Sequence, residues 1–148
     1  MKRDKSKFQG VSDDPVAAVS SFRYFQLWRL LGWVLIAAVV YFSLTSSPPE
    51  ILEFAFADKL KHLLAYGVLL GWFVQLYPSR KWQLVWVVVF CLLGIVMEFA
   101  QGWGGERTFD IADMLANGGG ILLAWWLSNK WLVGSLLRVD HALSRMLE

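Results

Sequence analysis

Four apolar stretches, each close to a membrane thickness in length and parted by short polar links, constrain this chain more than any other feature. A helix needs about 20 mostly apolar residues to cross about 30 Å of hydrocarbon. The stretches at about 27–45, 60–77, 82–101 and 111–127 each come near that limit. The chain is 57% hydrophobic and 18% charged, whereas soluble domains are about 45–50% apolar and about 25% charged. Because the excess arrives in blocks, the expected fold is an all-α membrane protein with four transmembrane helices. Ser46-Ser47-Pro48-Pro49 closes the first stretch and Pro78 ends the second, since proline cannot continue a helix. Trp28, Trp33, Trp82, Trp86, Trp103, Trp126 and Trp131 fall mostly near the predicted ends, as an aromatic belt requires.

Lysine and arginine set the expected orientation. Lys2, Arg3, Lys5, Lys7, Arg23, Arg29, Arg80, Lys81, Lys130, Arg138 and Arg145 fall on one side, and only Lys59, Lys61 and Arg107 on the other. The positive-inside rule then puts both termini in the cytoplasm and the second group at the outer face. Ala55-Phe56-Ala57 resembles a signal-cleavage site, but it lies too far beyond the first stretch. The first stretch is therefore expected to remain as an anchor. Residues 1–26 read as a flexible basic cytoplasmic arm and 27–130 as the transmembrane domain. In 131–148, Leu132, Leu136, Leu137, Val139, Leu143, Met146 and Leu147 form a broad stripe, with Arg138, Asp140, His141 and Arg145 elsewhere. That segment is expected to be an amphipathic interfacial helix on the cytoplasmic side. Cys91 is the one cysteine, so no disulfide forms within a chain and no cysteine metal site exists; it reads as a small packing residue.

The chemistry-bearing residues gather at the outer end of three spans. An ionisable group inside a span is expensive and marks a function or a structural lock. Asp58, His62 and Tyr66 are spaced i, i+4, i+8 on the second span. Asp58 fits a helix cap or an orienting partner for His62. His62 fits a satisfied structural role or a general base. Glu98 and Gln101 share a face of the third span, and Glu98 follows the 14 uncharged residues from Leu84 to Met97. It must be paired, protonated or facing water, with Arg107 as the expected partner. Asp110, Asp113 and Asn117 line the fourth span. Gly118, Gly119 and Gly120 follow them, predicting tight helix contact or a local break, and Gly94 sits one turn below Glu98, leaving room for close helix approach. Gly102, Gly104 and Gly105 make the loop before the fourth span pliant.

The order Asp58-Lys59-x-x-His62-x-x-Ala65-Tyr66, Glu98-x-x-Gln101, Arg107-x-x-Asp110-x-x-Asp113-x-x-x-Asn117-x-x-Gly120 resembles the VanZ-like family across about 58–120. The resemblance implies a small bacterial multi-pass protein of the inner membrane. The family's founding member is linked to resistance to the glycopeptide teicoplanin, and the resemblance implies no established reaction.

Three functions fit the residues. In the first, a non-enzymatic envelope protein uses an outer-face polar pocket to bind a lipid head group or envelope precursor, or modifies glycopeptide sensitivity. Arg107 with Lys59 or Lys61 would meet a phosphate, while Asp110 and Asp113 orient the site. In the second, the chain is an accessory or assembly subunit of a larger membrane complex, and the polar residues are an internal lock. The third is an outer-leaflet lipid-modifying enzyme with His62 as base, Glu98 as acid and Arg107 stabilising charge. A metal held by His62, Glu98, Asp110 and Asp113 is a variant that no spaced motif supports, so no metal and no cofactor are expected. The expected partners are membrane lipids and, in the second reading, other membrane subunits; nucleic acid is not among them.

Overall fold

The computed structural model describes residues 21–45, 56–103 and 109–148. Five helices follow one another: α1 (Phe25–Leu44), α2 (Ala57–Leu76), α3 (Arg80–Trp103), α4 (Ile111–Lys130) and α5 (Ser135–Met146). No strand occurs among the described residues. Each predicted span is a helix, with ends shifted by a few residues. α2 stops at Leu76 because Pro78 follows, and its last turn is closed by the Tyr77 N–H on the Phe73 carbonyl, at 2.9 Å. Gly134 links α4 to α5 with φ of 67°, a left-handed conformation that glycine adopts without a Cβ clash.

Among the described residues, α1 and α3 are long and apolar enough to cross a membrane. α2 and α4 fall outside that test, and they carry Asp58, Lys59, Lys61, His62, Asp113 and Asn117. Their position explains the difference. α2 touches every other helix, and its contact with α4 is the most extensive in the bundle. A helix enclosed by protein can carry polar groups toward its neighbours, whereas one facing lipid cannot.

The core forms on α2. Leu69, Leu70 and Phe73 are fully buried with Phe90 of α3 and Ile121 of α4. Trp86 lies on Phe73 with ring centroids 4.0 Å apart. Away from this core, Leu30, Val34, Tyr41, Val88, Leu92, Val96, Leu115 and Leu122 stay more than half exposed, as lipid-facing positions of a membrane bundle would.

One glycine sets the distance between α2 and α4. A Cβ on Gly120 would lie 2.1 Å from the Leu63 carbonyl oxygen and 3.1 Å from the Gly67 nitrogen. The contact is backbone on backbone, so no side-chain rotation relieves it. A Cβ on Gly118 or Gly119 would meet no other part of the described residues within 4 Å. The expected tight approach therefore belongs to Gly120 alone of the three, and its partner is α2. At Gly94 the space freed is filled by side chains of other helices, Asn117 Nδ2 at 3.1 Å and Tyr66 Cε1 at 3.4 Å from a Cβ there.

The first and last described segments meet in a second apolar cluster, where Phe22, Phe25, Trp28 and Leu76 pack with Leu136, Leu137 and Leu143. This corrects two expectations. Residues 21–26, read as the end of a flexible arm, are packed against α5; residues 1–20 lie outside the described residues. Asp140, placed away from the apolar stripe of α5, is completely buried. Its carboxylate accepts hydrogen bonds from Trp28 Nε1 at 2.6 Å, the Arg23 N–H at 2.7 Å and the Tyr24 N–H at 3.0 Å. Those three donors satisfy a carboxylate that apolar packing alone would not tolerate. Burial pushes the Asp140 carboxyl up, but the indole and the two backbone donors together hold it below its ordinary value.

Two outcomes follow. Gly120→Ala lowers stability in detergent by about 1–3 kcal/mol, while Gly119→Ala leaves it nearly unchanged; thermal unfolding of the purified variants measures both. Trp28→Phe removes a bond to a charged acceptor and weakens α5 docking by about 1.5–3 kcal/mol. Because the folded Asp140 value lies below the unfolded one, this docking is complete above about pH 3.9. It is lost as pH falls through the lower folded value, and proteolysis of α5 across an acid series reports it.

Candidate functional site

α2 and α4 run parallel, with both N-termini at the same end of the bundle. Their pairings fix the register: Ser128 lies by Gly71, Gly120 by Leu63 and Gly67, Asn117 by His62, and Asp113 by Lys59. Each helix start carries about half a positive charge, so carboxylates are favourable there. Asp58 stands in the first turn of α2 and Asp113 in the first turn of α4. The N-cap of α2 is Phe56, which corrects the expectation that Asp58 is the cap. Asp110 does cap α4, its Oδ1 accepting from the Ala112 N–H at 2.8 Å.

Lys59 joins the two helices. Its ammonium lies 2.5 Å from Asp110 Oδ2 and 2.6 Å from Asp113 Oδ1. Lys59, with the cap bond from Ala112 behind it, holds the Asp110 carboxyl below the usual carboxylate range. One turn deeper, His62 Nδ1 is 3.0 Å from Asn117 Oδ1. A carbonyl oxygen only accepts, so Nδ1 carries the proton and Nε2 is left facing Asp113 Oδ2 at 3.7 Å. Asn117 thus takes the orienting role that the sequence assigned to Asp58.

Glu98 is 1% exposed. One of its oxygens accepts from the Asp110 backbone N–H at 2.7 Å, so α3 holds the start of α4 through a buried carboxylate. Arg107, its expected partner, lies outside the described residues, as do Gly104 and Gly105. Gln101 turns away from the cluster and donates to the Ser43 carbonyl at 2.7 Å, closing the end of α1. Tyr66 is 1% exposed in the core, beside Gly94 and Asn117, and its buried hydroxyl has no hydrogen-bond partner among the described residues.

The structure therefore brings together Asp58, Lys59, His62, Asp110, Asp113 and Asn117, and ties Glu98 in through the Asp110 backbone. It leaves Gln101 and Tyr66 in neighbouring structural roles. The donor atoms of Asp58, His62 and Asp113 lie within 4.8 Å of one another, a set able to hold a metal ion. Glu98 and Asp110, named in the metal variant above, are used in α4 capping instead. Lys59 is committed to two carboxylates, which corrects its expected part in meeting a phosphate. Sequence reasoning missed the Asp140–Trp28 anchor at the opposite end. Its signal was present: Leu136, Asp140 and Leu143 fall at i, i+4 and i+7, on one helical face.

A helical bundle with two membrane-length apolar helices and a charged end shared by α2, α3 and α4 defines a membrane-protein class. The family model described as VanZ/LLP1 matches residues 8–133, and the chain belongs to that family. No curated protein and no solved structure matches the chain.

The ion pair of α2 with α4 yields a measurable coupling. In a double-mutant cycle, Lys59→Met and Asp113→Asn are each destabilising, and together cost less than their sum by about 0.5–3 kcal/mol. Additive losses in thermal unfolding would mean that the two groups do not support each other.

Proposed function

We propose that this chain is a multi-pass protein of the bacterial inner membrane whose polar end engages a lipid head group or envelope precursor, and so alters sensitivity to glycopeptides. In this reading α1 to α4 all cross the bilayer, both termini are cytoplasmic and the cluster opens at the outer face. Family membership supports a membrane protein with a link to glycopeptide resistance. The observation that carries the reading is the convergence of Asp58, Lys59, His62, Asp110, Asp113 and Asn117 at one end of helices whose outward faces remain apolar. Polar groups gathered at a membrane boundary suit a ligand with a polar head and an apolar tail. The parallel course of α2 and α4 supports a bundle that alternates up and down, and the charge bias of the links supports the sidedness. With Lys59 held by Asp110 and Asp113, a phosphate on the ligand falls to Lys61 and Arg107.

Deleting the gene is expected to raise glycopeptide susceptibility and surface binding of a fluorescent glycopeptide. Wild-type and Gly119→Ala copies restore both, and Asp113→Asn restores neither although it reaches the membrane at normal levels. A deletion strain with unchanged susceptibility and unchanged labelling would end this reading.

A further inference from the structure

We infer that Asp58, His62 and Asp113 form a binding site for a divalent transition-metal ion. The inference deepens the reading above, because it concerns the same polar end and supplies positive charge that Lys59 cannot offer to a ligand. It also departs from the sequence expectation of no metal.

Three observations carry it. The first is the donor set. Three ligand atoms from the first two turns of two parallel helices lie within 4.8 Å of one another. An imidazole with two carboxylates suits zinc or manganese better than magnesium or calcium, which favour oxygen alone.

The second is the state of Asp113, which is only 6% exposed. Its Oδ1 is paired with Lys59 Nζ at 2.6 Å. Oδ2 faces His62 Nε2 at 3.7 Å, beyond hydrogen-bond reach. Lys59 thus balances one oxygen, and the other, without a hydrogen bond among the described residues, is the oxygen placed to ligate an ion together with His62.

The third is the orientation of His62. Nδ1 is turned to Asn117 Oδ1 at 3.0 Å, which aims Nε2 at Asp113 Oδ2, 3.7 Å away. That separation is near the spacing of two ligands on one ion, since ligands at about 2.1 Å in a tetrahedral shell stand about 3.4 Å from each other. Asn117 then plays the outer partner that fixes a ligating histidine.

The test uses the full chain in detergent, stripped with a chelator and carrying a histidine-free tag. His141, the other histidine, is replaced by alanine throughout. Titration with Zn²⁺ and Mn²⁺, with Mg²⁺ for comparison, is expected to show one saturable site for the first two. His62→Ala and Asp113→Asn weaken it by at least about tenfold, and Gly119→Ala, away from the site, leaves it nearly unchanged. No saturable Zn²⁺ or Mn²⁺ binding, or equal binding by His62→Ala, would overturn the site. If the ligand variants fail to fold, zinc X-ray absorption on the His141→Ala protein decides. A nitrogen and oxygen shell with one imidazole upholds the site, and a shell without imidazole removes it. The glycopeptide phenotype is scored separately, so loss of the metal site and loss of the envelope reading are distinguishable.

Discussion

The backbone contact of α2 with α4 at Gly120 is the constraint on which the rest of the structure depends. Without a Cβ at that position, the two helices approach to backbone distance beside Leu63 and Gly67. That proximity sets the reach of every side chain one or two turns toward the helix starts. Asn117 meets His62, and Asp113 meets Lys59. Wider spacing would leave these as separate buried polar residues, each needing its own partner.

Polar and apolar demands are divided among the helices. α1 and α3 carry apolar faces fit for lipid, while α2 and α4 turn toward each other and keep their charges between them. The parallel course puts two helix starts at one end, where free N–H groups and dipoles favour carboxylates. α3 completes the arrangement from the opposite direction, with Glu98 on the Asp110 backbone and Gln101 on the last turn of α1. The far end is held by a different device. Asp140 of α5 gathers donors from the segment that opens α1, so the described ends of the chain are fastened together.

Much of the site was legible because its residues recur at helical spacing. Asp58 with His62, and Asp110 with Asp113 and Asn117, had to share faces once their segments were helical. Their partners were not legible. Gln101 shares a face with Glu98 yet bonds α1, because the neighbour of each turn depends on where the next helix lies. Asp140 looked like a solvated charge because an aspartate is normally exposed; only the arrival of the Trp28 indole and two backbone N–H groups makes its burial tolerable. Of three adjacent glycines, the one at the crossing could not be distinguished by composition.

The sequence by itself determined the helices, their approximate limits, the family pattern and the polar stripes, since these follow from local periodicity, proline placement and residue order. The tertiary structure decided which stripes face one another, which carboxylates share Lys59 and which nitrogen of His62 turns to Asn117. Those outcomes turn on distances of a few ångströms between helices far apart in the chain, and local spacing does not encode how closely two backbones pass.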